Sequence, residues 1–353
     1  MNELVSIIIT TKNREALLPR ALKSAINQSY KNIEIIVVDD CSSDNTEKIV
    51  KEYIKNDSRI KYIKNNIPSG ANVSRNKGIK IANGKFIAGL DDDDEFMTNR
   101  IELLLNNYDE KYAFITSNNI IIHDGYIHIT KYKPIINIED MLFDNAIDNQ
   151  GLILKYRLQE VDMYDEKLTA CQDYDIWMKL ILKYGKIQTI EESTQIIYRS
   201  ISKQSISTKS RKKYYGYFNF YKKYKYLMND YHKKAHLIRI YDIKSKNNIS
   251  CELAIKLLIK KIKNSSIKQF SIFGINSIAI EIIKFMNDNN IKINHLIDSN
   301  KKEIKIENHL IMSLDDVIDI ETNFIICSIA SYPQMKDILC KHIEADKLNL
   351  ISI

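Results

Sequence analysis

Between Val5 and Asp91, four short apolar runs alternate with three segments of helical period, and that alternation fixes the class of fold. Val5-Ser6-Ile7-Ile8-Ile9-Thr10 reads as a buried strand, and Thr11-Lys12-Asn13-Arg14 as the turn after it. Leu17, Leu18, Ala21, Leu22, Ala25 and Ile26 then recur at helical spacing, predicting an amphipathic helix to about Gln28. Ile33 to Val38 is a second strand ending at Asp39-Asp40, and Cys41-Ser42-Ser43-Asp44 caps a second helix that runs to about Ile54, Ser43 accepting from the amides of its first turn. Ile60 to Ile63, Ala71 to Ala82 and Phe86 to Leu90 complete the series as strand, helix and strand. Such a series builds an α/β domain around a mainly parallel sheet with right-handed crossovers.

In sheets of this kind ligands bind beyond the carboxyl ends of the strands. Thr10, Asp40 and the run Asp91-Asp92-Asp93-Asp94-Glu95 all fall there. Five adjacent carboxylates repel one another unless a cation shares the site, and their oxygens suit Mg²⁺ or Mn²⁺, which could in turn hold a diphosphate. The plain alternative is a solvated acidic turn. No Gly-rich GxGxxG follows the first strand, so the dinucleotide-binding version of the fold is not indicated.

A length of 353 residues suggests two domains joined by an arm. Boundaries are expected at residues 1–207, 208–265 and 266–353. The net charge of +7 is concentrated between Lys209 and Lys246, which hold twelve Lys or Arg against Asp230 and Asp242, so the remainder is net acidic. Cys41, Cys171, Cys251, Cys327 and Cys340 are scattered without a CxxC pair, which argues against structural zinc and a disulfide framework. Neither a secretory signal nor a run of about 20 apolar residues is apparent. A cytoplasmic protein is expected, free or peripheral to the inner face of the plasma membrane.

Five blocks in order carry a resemblance. Val5 to Arg14, Asn27-Gln28-Ser29-Tyr30, Val37 to Thr46, Ala71 to Ile79 and Leu90 to Asp94 resemble the signature segments of family 2 glycosyltransferases, over about residues 3 to 205. These are inverting enzymes of the GT-A fold that use a nucleotide-sugar donor. The resemblance implies that Thr10 and Asp40 contact the nucleoside, Asp40 accepting from a uracil imide if the donor is a UDP-sugar. It implies that Arg75 faces the base or diphosphate, and that Asp91, Asp92 and Asp93 cover the DxD motif. Asp93 is then the direct ligand of Mn²⁺ or Mg²⁺, with Asp91 beside it or, like Asp92, near the ribose. Lys12 departs from the pattern, standing where the family usually has an aromatic residue.

Thr169 to Leu180 opens a helix with Ile176, Leu180 and Ile181 toward the core and Asp173 in its first turn, where the helix dipole favours a carboxylate. The block resembles the family's acidic-pair segment. By matching position, Asp173 is the general base that takes the acceptor's hydroxyl proton, and Asp175 is next in line. The bland reading makes Asp173 a helix cap. Gln172 replaces the commoner Glu, and Trp177 is expected in the core. Ile196 to Arg199 resembles the strand closing the catalytic domain. The loop from Ser200 to Gln204 lacks the family's His, for which Arg199, Lys203 or a more distant Lys could substitute.

Elsewhere, Ala113 to Ser117, Ile120 to Ile122 and Tyr126 to Thr130 read as short strands, with a turn at Asp124-Gly125, and Ile138 to Phe143 as a helix. Lys209 to Lys246 is helical in character and includes eight tyrosines, which suits either a membrane-surface arm or a packed linker helix. No nucleic-acid-binding module accompanies its charge. From about Lys268 a second, smaller Rossmann-like α/β domain begins, with strand Phe270 to Phe273, helix Ser277 to Met286, strand Ile293 to Ile297 and strand Phe324 to Ser328. Its first turn keeps only Gly274 of a Gly-rich loop, so a structural or interaction role, which leaves room for an oligomer through this domain, is favoured over NAD binding, although Asp298 sits where a ribose-binding acid would.

The leading expectation is an inverting, metal-dependent glycosyltransferase that moves a sugar from a nucleotide-sugar, UDP-linked, to a glycan or lipid-linked glycan of a bacterial surface. A non-catalytic nucleotide-sugar or glycan-binding protein is the alternative. A nucleotidyltransferase would need a Gly-rich, basic loop near the first strand, which is absent.

Overall fold

The computed structural model describes residues 2–123, 126–147, 150–199, 210–245, 249–275 and 277–298, and beyond these 305–306, 309–313, 316–317, 323–327, 339 and 348–352. The chain forms two compact units, residues 1–228 and 229–353.

The first unit begins with β1 (Val5–Thr11), α1 (Leu18–Ile26), β2 (Ile33–Asp39), α2 (Thr46–Asn56), β3 (Ile60–Lys64), α3 (Ala71–Ile81) and β4 (Phe86–Asp91). There follow β5 (Glu95–Phe96), α4 (Arg100–Asn107), β6 (Ile115–His123), β7 (Tyr126–Ile129), β8 (Ile135–Ile136), α5 (Ile138–Phe143), β9 (Leu152–Leu154) and α6 (Lys155–Glu160). It ends with α7 (Gln172–Tyr184), β10 (Ile187–Arg199) and α8 (Ser210–Tyr224). The strands join one sheet in the order β3-β2-β1-β4-β9-β6-β10-β5, with β7 beside β6 and β8 beside β10. β3, β2, β1 and β4 run parallel, and β9 lies antiparallel to both β4 and β6, which makes the sheet mixed.

Successive residues of a strand face opposite sides of a sheet, and both sides are covered here. Ile7 and Ile9 join a core with Leu22 of α1, Val50 of α2 and Leu104 of α4. Ile8 joins the other core, with Ile79 of α3, Trp177 of α7 and Phe220 of α8. Two covered faces explain why β1 and β2 are apolar along nearly their whole length rather than at alternate positions. Trp177 lies in the core as expected, its ring centroid 4.7 Å from that of Phe114.

Two local expectations are corrected. The second helix begins at Thr46, after the expected capping segment, but Ser43 does not cap it: Ser43 donates its amide to Asn13 Oδ1 at 2.8 Å, while Asp44 accepts from the Thr46 amide at 3.0 Å. Residues 40–45 thus lock onto the loop after β1, where Glu15 exchanges bonds with Asp44 and Asn45. The two strands expected at 113–117 and 120–122 are one strand, β6. The polar interruption is satisfied inside the sheet, Asn118 donating to the Glu191 carbonyl and the Asn119 amide to Thr130 Oγ1. A bulge in β10 opposite Asn118 and Asn119 absorbs the register shift. The turn expected at 124–125 lies outside the described residues. Arg100, fully buried, crosses this region and donates to Ser117 Oγ and Thr194 Oγ1.

The second unit contains α9 (Asp230–Ser245), α10 (Ile249–Asn264), β11 (Gln269–Phe273), α11 (Ser277–Asp288), β12 (Lys292–Ile297), β13 (Lys305–Ile306), β14 (His309–Met312), β15 (Asn323–Ile326) and β16 (Asn349–Ser352). β14, β12, β11, β15 and β16 are parallel neighbours in that order, that of a doubly wound sheet. Phe270, Ile272, Ile282 and Leu258 are buried in its core. Asp298 accepts from the Ile275 amide at 3.0 Å and so closes the turn that follows β11.

Candidate active site

The crossovers bring the carboxyl ends of β1, β2 and β4 side by side. Thr10 pairs in register with Val38 on one side and with Asp91 on the other. Around these ends, the first turn of α7, the end of β10 and one face of α8 enclose a cleft of about 800 Å³. Thr10, Arg75, Asp91, Asp92, Asp93 and Asp173 all line it. Six of the seven residues singled out from the sequence therefore meet in one place.

Asp40 is not among the residues lining the cleft. It is buried and accepts from the amides of Ser69 at 2.6 Å and Gly70 at 3.0 Å, from Asn65 Nδ2 at 3.1 Å and from Lys12 Nζ at 3.4 Å. Burial opposes its ionisation, but these donors outweigh burial and hold its carboxyl below the usual range. An ionised carboxylate offers about four acceptor positions, and here three are occupied in fixing residues 65–70 and one by Lys12. A nucleobase imide would have to displace one of these donors, and Lys12 is the most distant.

The acid run separates into roles. Asp94 is 3% exposed and accepts from the Tyr198 amide at 3.2 Å and Gln195 Nε2 at 3.3 Å, which ties the turn to β10. Tyr198 also donates its hydroxyl to Glu95 at 3.0 Å, and the Arg20 guanidinium sits 3.6 Å from its ring centre. Arg20 in turn donates to the Asp93 carbonyl. The Asp93 carboxylate stays about one-third exposed, 3.8 Å from Arg14. Burial, then the charges of its neighbours, pushes Asp92 up to about 7, and Asp93 is raised for the same reasons.

Carboxylates crowded in this way suit a divalent cation. Among the described residues no three Asp, Glu, His or Cys side chains converge as a full ligand set.

Arg75, on α3, donates to Asp91 Oδ1 at 3.0 Å. Burial disfavours its charge, but Asp173 first and then Asp91 more than compensate, so the guanidinium is held firmly charged. It is the link between the acid turn and α7. Its Nη1 is buried and has no hydrogen-bond partner among the described residues.

Asp173 reaches the cleft because Cys171 takes a left-handed conformation, φ 60°, and turns the chain into α7. Asp175 does not line the cleft, and its place as the next candidate base is withdrawn. It is 1% exposed and accepts from Lys223 Nζ at 2.7 Å and the Tyr224 hydroxyl at 2.8 Å. Helical spacing put Asp175 two residues on from Asp173, on the opposite side of the turn.

Two further lining residues, Lys213 and Tyr217, come from α8, and the sequence reading did not place them there. The available signal was Gly216, a glycine inside a helical run, which usually marks a close approach. Arg199 lines the cleft as well. Lys203 lies outside the described residues.

Residues 6–169 match the Glycosyl transferase family 2. The chain is 36% identical over 254 residues to WcaA of Escherichia coli K12, a glycosyl transferase named for colanic acid biosynthesis, covering 69% of this chain and 90% of that protein. The chain belongs to glycosyl transferase family 2. It is also 35% identical over 185 residues to Escherichia coli WfaP, a UDP-Glc:α-D-GlcNAc-diphosphoundecaprenol β-1,3-glucosyltransferase, over 51% of this chain and 71% of that one. Its fold is like that of S. aureus TarS residues 1–349, with a TM-score of 0.54 at 19% identity, covering 73% of this chain and 78% of that chain. The first unit therefore has the GT-A architecture, and the second adds its own sheet of parallel strands.

Proposed function

We propose that this family 2 glycosyltransferase moves a sugar with inversion from a UDP-sugar to a hydroxyl of a lipid-linked, diphosphate-bearing glycan acceptor of a bacterial surface polysaccharide. The single observation that carries the reading is that Asp173 and Asp91 to Asp93 face one cleft, with Arg75 between them. Two relatives, one named for colanic acid and one for a glucosyl transfer to a diphosphoundecaprenol sugar, support the class of donor and acceptor.

Asp173 takes the proton of the attacking hydroxyl. The freed oxygen bonds to the anomeric carbon as the bond from that carbon to the diphosphate oxygen breaks, and UDP leaves from the opposite face. A Mn²⁺ or Mg²⁺ ion held by Asp93, with Asp91 beside it, would supply positive charge against the departing diphosphate. Arg75 keeps Asp91 in position, and its spare Nη1 is a donor for a phosphate oxygen or the base. Thr10 and Asp92 lie against the nucleoside, and Asp40 shapes the neighbouring loop. No helix among the described residues is long and apolar enough to cross a membrane. The outward residues Tyr215, Phe218 and Lys222 of α8 would instead touch a membrane surface beside the acceptor.

The deciding experiment is UDP release from a panel of nucleotide sugars, with and without Mn²⁺ or Mg²⁺ and then with excess chelator. Turnover of a UDP-sugar that stops with chelator and returns with metal is expected. Activity unchanged in chelator would remove the metal from the reading, and no turnover or binding of any nucleotide sugar would remove the donor.

A further inference from the structure

The reaction just described leaves one wall of the cleft without a role. Lys213 and Tyr217 lie one turn apart on α8 and both line the cleft. Gly216, between them in sequence, presses on Ala170 so closely that a Cβ added there would stand 2.6 Å from the Ala170 Cβ and 2.7 Å from its carbonyl oxygen. The next three residues, Cys171, Gln172 and Asp173, form the same side of the cleft. A second anchor lies two turns along α8, where Lys223 and Tyr224 bind Asp175 of α7. Phe220 adds a third, stacked on Tyr174 with ring centres 3.7 Å apart. The helix is thus fixed to the element that carries Asp173.

Lys213 is half-buried and makes no hydrogen bond or ion pair among the described residues, although six aspartates line the same cleft. An ammonium on a rigid support whose head no aspartate engages is available to an anion that enters the cleft. The donor's diphosphate already has Arg75, Arg14 and the acid turn at the ends of β1 and β4. Lys213 stands instead beside Cys171, whose thiol burial pushes up to about 12 and whose ionisation the nearby Lys213 charge favours.

We propose that Lys213, with Tyr217 beside it, forms a second anion subsite that holds the diphosphate of the acceptor while Asp173 deprotonates the acceptor's hydroxyl. This rests on the donor and acceptor sides assigned under Proposed function.

The test uses the full-length protein with Mg²⁺ and saturating UDP, and titrates farnesyl diphosphate as a soluble lipid diphosphate, with farnesol as the phosphate-free control. Farnesyl diphosphate is expected to bind saturably and farnesol not. Lys213→Met should weaken that binding by about tenfold or more, the size of a lost charge-assisted contact, whereas Lys213→Arg should keep most of it. UDP affinity, titrated separately, should stay within about twofold in both variants, since the donor site keeps its own cations. Unchanged farnesyl diphosphate binding in a folded Lys213→Met protein overturns the subsite. A loss of UDP affinity with farnesyl diphosphate binding intact also overturns it, by placing Lys213 on the donor. Wild-type protein that binds UDP but no farnesyl diphosphate rejects the subsite alone, while failure to bind UDP rejects the donor reading.

Discussion

Arg75 donates to Asp91 across 3.0 Å, and this one contact joins α3 to the acid turn at the end of β4. Both side chains are mostly buried, at 14% and 23% exposure. Removing one member of such a pair leaves a charge without its partner, which costs about 3 kcal/mol when burial is complete and less here because Asp91 is partly open. Arg75→Met should therefore lower the melting temperature of the first unit. The double variant Arg75→Met with Asp91→Asn should recover much of the loss. A double variant whose loss equals the sum of the two singles would show that the residues are not coupled.

Asp93 and Asp94 should respond in opposite ways despite being adjacent. Asp93→Ala removes a carboxylate that is about one-third exposed and should abolish transfer and metal-dependent UDP binding while leaving the melting temperature close to wild type. Asp94→Ala strands the Tyr198 amide and Gln195, a loss of about 1 to 3 kcal/mol per unsatisfied buried group. Asp94→Asn keeps an acceptor oxygen for Tyr198 and should restore most of that stability. Circular-dichroism melts alongside UDP titrations separate the two cases, and equal effects on both readouts at both positions would reject the division of roles.

A general base acts on the acceptor and not on the donor. Asp173→Asn should keep UDP affinity near wild type while turnover falls by about 10² to 10⁴. Asp175→Asn is the control: it should weaken the hold of α8 through Lys223 and Tyr224 and show first as lost stability. Turnover by Asp173→Asn above about a third of wild type, far outside that range, would leave Asp173 as a helix cap.

Glu34 sets an acid limit on stability away from the cleft. It is buried, and burial alone would raise its pKa. Hydrogen bonds from Lys61, Ser6 and the Asn83 amide outweigh burial and lower it. A carboxyl whose pKa is lower folded than unfolded adds stability that is present above its unfolded value, about 4.3. That stability drains away as pH falls through the folded value. Melting temperatures of wild type and Glu34→Gln should differ most near pH 6 and converge below about pH 4. A difference that grows on acidification would contradict the sign.

The strands and helices up to Asp91 were legible because each covers one repeat of a short-range pattern, and because both faces of the sheet demand apolar strands. Cleft residues at strand ends were legible for the same reason, since topology alone places Thr10 beside Asp91. What could not be read depends on partners far away in the chain. β6 looked broken at Asn118 because nothing nearby shows that Glu191, 73 positions on, takes its amide group. That four donors would surround Asp40 could not be read either, because two of them are the amides of Ser69 and Gly70, 29 and 30 residues later. The Lys209 to Lys246 stretch read as basic and aromatic, with no sign that Phe220 would be buried against Tyr174.

Gly216 offers a sign test of how α8 is seated. In an open helix, alanine is favoured over glycine by about 1 kcal/mol, because glycine loses more backbone freedom on folding. At Gly216 the new methyl would meet the Ala170 Cβ at 2.6 Å, its carbonyl oxygen at 2.7 Å and its carbonyl carbon at 2.8 Å. Two of those three atoms are backbone, held by the turn into α7, and cannot swing aside as the tip of a long side chain would. Either α8 moves outward and takes Phe220 and Tyr224 from their contacts, or the turn at Cys171 shifts. Both cost more than the entropy gained, since overpacking a fitted site typically costs about 1 to 3 kcal/mol. Gly216→Ala should therefore lower the melting temperature, whereas Asn219→Ala, at an exposed position of the same helix, should leave it unchanged or raise it. If Gly216→Ala instead stabilises the protein as an open helix would, α8 does not rest on Ala170 in solution, and Lys213 and Tyr217 lose their place in the cleft.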